Sequence, residues 1–512
     1  MSTRTSLPAI LEGLRIHLVG AKGTGMSALA EILNARGAIL TGSDVADVFY
    51  TDAILKAIGV SMRVGFDASH LPEDAALVVH SPAYPRDANP ELLEAARRGL
   101  PVMSYPEALG ALSLRSDSSG IAGVHGKTTT TAFAGSLASA LGLPATVLAG
   151  SAVTSFGGRS TVISGDRYFI AETCEYRRHF LNFSPRRIVL TSIESDHQDC
   201  YPTFDDIYAA FLDYLRRLPE GGELIFCADD AGAARAAREI RAERSDIRLC
   251  PYGESAEGDY RIVEYRSGSG EARFELAGFP GDFRIRVPGR HLALDATAAL
   301  ALALSVLRDL RTKVNGAEAA AWAPSGEEVE RARSAIAGFA GSKRRSEILG
   351  EAGGVLFMDD YGHHPTAVRE TIRGVKEFWP DRRLVVDFMS HTYSRTKALF
   401  GEFAACLDGA DALVMHGIYA SARETAAPDV SGRALFDEVG RRDAEAGRDR
   451  PLLYSEAVLG GIAEVAEVLR PGDLFLTMGA GDNWKLGAAL KERFEASGRS
   501  GDAPSGAEGM GR

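Results

Sequence analysis

The stretch Gly-Ile-Ala-Gly-Val-His-Gly-Lys-Thr-Thr-Thr-Thr at 120–131 constrains the fold more than any other part of the chain. A short apolar run over 121–124 enters a glycine turn at 123–126, and helical spacing begins near Lys127 and continues through Phe133, Leu137 and Leu141. Strand, tight turn and helix in that order bring backbone N–H groups and the positive end of a helix dipole to one point, which makes a phosphate cradle. We read it as an ATP site: Gly123, Val124, His125, Gly126 and Thr129 line the phosphates, Lys127 reaches the outer ones, and the Thr128 hydroxyl binds Mg²⁺. The common phosphate-loop pattern has a glycine five residues before its Gly-Lys pair, where this chain has Ile121, so the reading rests on the flanking elements. Four threonines in a row are poor helix formers and need another reason to be there.

A chain of 512 residues exceeds one core and suggests roughly three domains. With 57 basic and 69 acidic residues the net charge is -12, which argues against nucleic acid and anionic membranes as partners. The five cysteines, at 174, 200, 227, 250 and 406, lack Cys-x-x-Cys spacing, so we expect neither a zinc site nor a disulfide framework, and a cytoplasmic location. No signal-peptide core or membrane-length apolar run is evident, and the oligomeric state is left at monomer or homodimer.

The expected fold is α/β, with a Rossmann-like domain over 1–116, a central ATP-binding domain over 117–338, a C-terminal Rossmann-like domain over 339–496 and a disordered tail over 497–512. In the first, a strand at 14–19 leads into Gly20, Lys22, Gly23, Thr24, Gly25 and Met26, then a helix, then a strand that stops at Ser43 and Asp44. The G-x-x-G-x-G spacing is not the dinucleotide fingerprint and names no particular nucleotide. Residues 113–119 have linker composition. In the second domain, strands at 168–171 and 187–193 finish in Glu172 and in Glu-Ser-Asp-His at 194–197, which makes Glu172 the first candidate magnesium ligand and His197 the second. Residues 260–287 suggest continued sheet, residues 294–307 a helix apolar nearly all round and therefore buried, and 312–328 an insertion or loop. In the third domain, strands are expected at 355–358, 384–388, 412–415 and 474–477. Adjacent His363 and His364 do not face one ion, and substrate binding or loop packing is the expectation there.

Further segments join these: Gly-Met-Ser at 25–27, Gly-Ser-Asp at 42–44, Asn-Pro-Glu-Leu at 89–92, Pro-Gly-Arg-His at 288–291, Lys-Arg-Arg at 343–345, Asp-Asp-Tyr-Gly-His-His-Pro at 359–365, His391 with Tyr393 and Arg395, and Gly-Ala-Gly-Asp at 479–482. In order and separation, from about residue 14 to about 487, they resemble the Mur ligase family. The resemblance implies a UDP-sugar domain, a central ATPase domain and an amino-acid domain that closes over both. It implies an ATP-dependent ligase of peptidoglycan synthesis that phosphorylates the lactyl carboxylate of UDP-N-acetylmuramate and transfers the acyl group to the amine of L-alanine. It places Gly20, Lys22, Gly23, Thr24, Gly25, Met26, Ser43 and Asp44 at the UDP-sugar. His291 and Asp295 fall near the adenine, and Arg345 and Asp360 at ATP from the closing domain. Tyr361, His363, His391 and Arg395 face the amino acid, with Arg395 as a carboxylate clamp, and His197 serves a second magnesium.

The chain departs from the family pattern at Lys22, Cys174, Arg177, Ser192, Leu292, Asp295 and Thr392, the last bearing on whether L-alanine, serine or glycine is accepted. Two alternatives stand beside this reading: a ligase adding a whole peptide to the same sugar nucleotide, and a non-catalytic nucleotide-binding protein on a ligase scaffold. His363, His391 and Arg395 favour the single amino acid, and retention of Lys127 and Glu172 speaks against a retired scaffold.

Overall fold

The computed structural model describes residues 7–315, 322–420 and 429–501, with side chains omitted at 313–315 and 497–501. Near-continuous apolar strands, buried on both faces, give three successive parallel sheets covered by helices. The first has the order Ser61–Val64, Ile39–Asp44, Arg15–Val19, Leu77–His80, Val102–Ser104, all parallel. Strand order reverses beside Arg15–Val19, so the glycine loop after it opens at the crevice where such sheets take ligands.

The second sheet runs Arg248–Tyr252, Glu223–Cys227, Arg187–Leu190, Asp117–Ala122, Tyr168–Glu172, Ala145–Val153, Arg159–Ile163, and only the last pair is antiparallel. The phosphate loop leaves its central strand, and the strands bearing Glu172 and residues 191–197 flank it. On one face the loop helix Lys127–Leu141 packs through Phe133 and Leu137 on the helix Arg290–Asn315. The segment Arg290–Thr312 is long and apolar enough to cross a membrane, yet 83% of its most apolar window is buried inside the protein, which marks a core helix. Beneath the sheet, Arg187 is fully buried and donates to Asp117 at 2.5 Å, to Ser305 at 3.0 Å and to Asp309, tying the two central strands to that helix.

The third sheet runs Glu347–Ala352, Val355–Asp360, Leu474–Met478, Leu384–Phe388, Ala412–His416, Leu452–Ser455, antiparallel only at its first pair. It meets the middle domain through Lys343 N to Ala152 O at 2.8 Å and through cleft contacts described below. On the other side, Glu31 accepts from Thr161 at 2.8 Å and pairs with Arg159 at 3.1 Å, joining the first domain to the second.

Several expectations need correction. Residues 260–287 do not extend the main sheet but form a separate antiparallel meander, Ile262–Gly268, Glu271–Leu276 and Phe279–Ile285, because two-residue connections permit antiparallel pairing only. The 113–119 linker is mostly structured: the strand starts at Asp117, and the Ser118 hydroxyl satisfies itself on Ser113 O at 2.7 Å. The last helix, Trp484–Gly501, overruns the expected tail start, and 502–512 lie outside the described residues. The helix Thr51–Ala57 and strand Ser61–Val64 carry no strong periodicity and escape the sequence reading. Of the expected 312–328 loop, Asn315 ends one helix and Gly326 begins the next, while 316–321 lie outside the described residues.

Replacing Arg187 with Ala takes the nearest buried cation from Asp117 and Asp309, leaving Arg186 at 3.6 and 3.7 Å from them, and we expect a loss of about 3 kcal/mol in denaturant unfolding of the middle domain. A loss below about 1 kcal/mol would contradict the strut role.

Candidate active site

A cleft of about 1070 Å³ separates the phosphate loop from the C-terminal domain, lined from one side by residues 124–129 and from the other by Arg345, Asp360, Tyr361, His363, His391 and Arg395. Gly126 turns the chain into the helix at φ 78°, and a Cβ there would stand 2.5 Å from Asp295 Oδ1. Gly123, at φ 145°, would meet the Thr191 hydroxyl at 2.0 Å. Both positions admit only glycine. The four threonines are each buried. Thr128 Oγ1 donates to Glu172 at 2.9 Å, Thr130 to Asp295 at 3.1 Å and Thr131 to Lys127 O at 2.8 Å, while Thr129 lines the cleft. Their cost in helix propensity is thereby explained.

Lys127 is folded back. Its ammonium lies 2.9 Å from Glu175 and also bonds the carbonyls of Gly123 and Val124. Burial would depress the Lys127 pKa, but Glu175 and its acidic neighbours hold it above its usual value. Burial in turn opposes ionisation of Glu175, and Lys127 and His197 hold that carboxyl low. His197 Nε2 stands 3.3 Å from Glu175, at a left-handed φ of 55°. Glu175 was not among the expected site residues; its only sequence signal is an acid three positions past a strand-ending glutamate.

His291 is half-buried in the cleft lining, its Nδ1 is enclosed without a hydrogen-bond partner, and burial takes its pKa down to about 4, so the ring is neutral. Asp295 is fully enclosed, and burial pushes it up to about 8 against the Thr130 hydroxyl and Arg345. A protonated carboxyl presents one donor and one acceptor. Ser192 accepts from His125 N at 2.9 Å and so supports the loop. Leu292 is core, Cys174 lines the cleft and Arg177 is exposed at φ 49°.

Across the cleft, Asp360 receives Ser346 N at 2.7 Å and Gly362 N at 2.6 Å, fixing the domain entry rather than presenting free oxygens. Arg345 packs on the Tyr361 ring at 5.1 Å. The Tyr361, His363 and His391 rings follow one another at 5.2 and 5.9 Å. Arg395, expected to clamp the amino-acid carboxylate, is instead 5% exposed and pairs at 2.8 Å with Asp196 of the middle domain. A sequence reading does not show which distant acid meets it. Thr392 caps the helix Tyr393–Ala398 at φ 65°, a strained value for a β-branched residue.

In the first domain, Gly20 at φ 77° and Gly25 lie against Tyr84 and Tyr105, where a Cβ would come within 2.4 and 2.8 Å. Gly23 caps the helix Thr24–Ala35, in which Met26 is buried, and Thr24 accepts from Tyr50 at 3.0 Å. Ser43 donates to the buried Glu91 at 2.5 Å, and Asp44 accepts Lys22 N at 2.7 Å. The Lys22 ammonium bonds Val45 O, Asp47 O and Asp52 at 2.9, 2.7 and 3.1 Å, tethering that loop.

Three α/β domains, with a phosphate loop in the middle one and a cationic, histidine-bearing face of the last closed upon it, define a nucleotide-dependent domain-closing enzyme. The family descriptions "Mur ligase family, catalytic domain", "Mur ligase middle domain" and "Mur ligase, glutamate ligase domain" match residues 15–116, 121–303 and 344–481. The chain belongs to the Mur ligase family. It is 50% identical over 96% of its length and 99% of the relative's to the UDP-N-acetylmuramate–L-alanine ligase of Treponema pallidum (strain Nichols). It is 38% identical, over 92% and 97%, to that of Borreliella burgdorferi. Among solved structures, the UDP-N-acetylmuramate–alanine ligase of Thermotoga maritima superposes with a TM-score of 0.70 at 22% identity, over 94% of this chain and 100% of the other.

Asp295 keeps its proton to about pH 8 when folded but has an ordinary value of 3.8, so stability falls as pH rises between those values and levels above them. Asp295→Asn removes that penalty. Its thermal midpoint relative to the parent should rise from pH 4 to 8 and then stay constant; a pH-independent difference would contradict the buried neutral acid.

Proposed function

We propose that the chain joins L-alanine to the lactyl carboxylate of UDP-N-acetylmuramate at the expense of ATP, a step of peptidoglycan synthesis carried out in the cytoplasm. The single observation that carries this reading is the phosphate-loop lysine facing Arg395, His363 and His391 across one cleft, in a chain half identical along its length to ligases of that name. Domain limits follow at 116/117 and 338/339, with the sugar nucleotide at the 20–26 loop.

The lactyl carboxylate oxygen attacks the γ-phosphorus and ADP leaves; the alanine amine then attacks the acyl carbon, phosphate departs and a base takes the amine proton. Positioning and charge neutralisation are the chain's main contributions. Lys127 moves its charge from Glu175 to the transferring phosphoryl, the loop amides hold the phosphates, and His291 meets the base. Glu172 and the Thr128 hydroxyl, 2.9 Å apart, form an oxygen pair suited to Mg²⁺, and His197 beside Glu175 suits a second. When bound, the metal supplies further charge neutralisation at the phosphates. Arg395 exchanges Asp196 for the amino-acid carboxylate, and Tyr361, His363 and His391 enclose a small side chain. Such an enclosure favours one amino acid over a peptide.

Phosphate release over a panel of amino acids and peptides, with the sugar nucleotide present or withheld, tests this. Release should need the sugar nucleotide and be fastest with L-alanine; equal release without the sugar nucleotide, or release only with a tripeptide, would refute it. Lys127→Ala should lower turnover by at least about 10³-fold with the fold intact.

A further inference from the structure

The mechanism leaves one cluster in the cleft unused. His125 of the phosphate loop, Glu194 beyond the strand Arg187–Leu190 and His364 at the start of the helix Pro365–Phe378 bring three potential ligand atoms within 4.8 Å of one another. His125 Nε2 lies 3.2 Å from Glu194 Oε2, and His364 Nδ1 lies 3.5 Å from the same oxygen.

The protons decide what this arrangement means. His364 Nε2 is 3.2 Å from Ser195 O, and a carbonyl only accepts, so Nε2 carries the ring proton. Nδ1 therefore presents a lone pair, which accepts the Thr366 N–H at 3.3 Å and faces Glu194 Oε2 at 3.5 Å. His125 reaches the same carboxylate oxygen from the phosphate loop, so two imidazoles and a carboxylate converge on one point at the domain boundary. A backbone carbonyl on the far ring nitrogen is also the support that orients metal-bound histidines.

We propose that His125, Glu194 and His364 form a site for a transition-metal ion of the zinc class, bridging the middle and C-terminal domains. Two imidazoles and a carboxylate suit Zn²⁺, Co²⁺ or Ni²⁺. Mg²⁺ prefers oxygen donors and is poorly served by two imidazoles, which separates this site from the Thr128–Glu172 pair. Ligand atoms bound at about 2.0–2.1 Å around a tetrahedral ion stand roughly 3.3 Å apart, close to two of the separations seen; the partly exposed His125 ring turns to close the third. An ion held from both domains pins the cleft shut and immobilises the phosphate loop. That inhibitory consequence rests on the nucleotide reading above, whereas the site itself does not.

The test is a titration of the full chain with Co²⁺ alone, free of Mg²⁺ and nucleotide. A visible tetrahedral ligand-field band should saturate at one equivalent, yield to Zn²⁺ and resist millimolar Mg²⁺. Glu194→Gln and His364→Phe should each abolish the band or raise its midpoint at least about tenfold, with folding checked by circular dichroism. His125→Gln provides a third arm, on a residue that caps no helix. Glu175→Gln should leave the band in place. No band up to millimolar Co²⁺, or a band unchanged in the folded Glu194 and His125 variants, would overturn the proposal.

Discussion

The pairing of one enclosed ammonium with one enclosed carboxylate governs this molecule. Lys127 sits where a strand, a left-handed glycine and a helix start converge, in a cleft too enclosed for a lone charge, so the fold supplies Glu175 as a resident counter-ion. Much of the site follows from that pair. Glu175 also holds His197, the strand that ends in Glu172 sets the reach of Thr128, and the 191–197 segment carries the groups that meet the closing domain. In the function proposed above, nucleotide binding exchanges one anion for another at the Lys127 ammonium, which costs less than desolvating a free lysine.

Closure obeys the same logic. Arg395 is nearly buried and would be costly unpaired, and Asp196 from the neighbouring domain satisfies it. Arg395 and Asp196 tie the last domain to the middle one, whereas Lys127 and Glu175 pair within the middle domain; in the function proposed above, an amino-acid carboxylate and a triphosphate take over these two cations. Asp295 shows how a departure from the family pattern is absorbed, since an acid enclosed beside Thr130 keeps its proton and offers an amide-like donor and acceptor.

Much of this was legible in the sequence. The three-domain α/β fold and the strands bearing Glu172 and residues 194–197 follow from apolar runs ending in glycine or acid, because a parallel sheet buried on both faces writes itself as such runs, and the family follows from the order of the short motifs between them. Pairings between distant segments were not legible. The partner of Arg395 lies 199 residues away, and His364 meets His125 and Glu194 across a domain boundary that no local spacing encodes. Nor does local spacing show that the long side chain of Lys22 reaches the carbonyls of Val45 and Asp47. The polar strand Asp117–Ala122 escapes composition; its Ser118 hydroxyl finds a partner in Ser113 O, which no local spacing shows.

The most direct measurement is a crystal structure with a non-hydrolysable ATP analogue, Mg²⁺ and UDP-N-acetylmuramate. The account predicts that the Lys127 ammonium leaves Glu175 for the phosphates, with the metal on Thr128 and Glu172 and the γ-phosphate aimed at the lactyl carboxylate. Nucleotide bound elsewhere, with Lys127 still on Glu175, would contradict it.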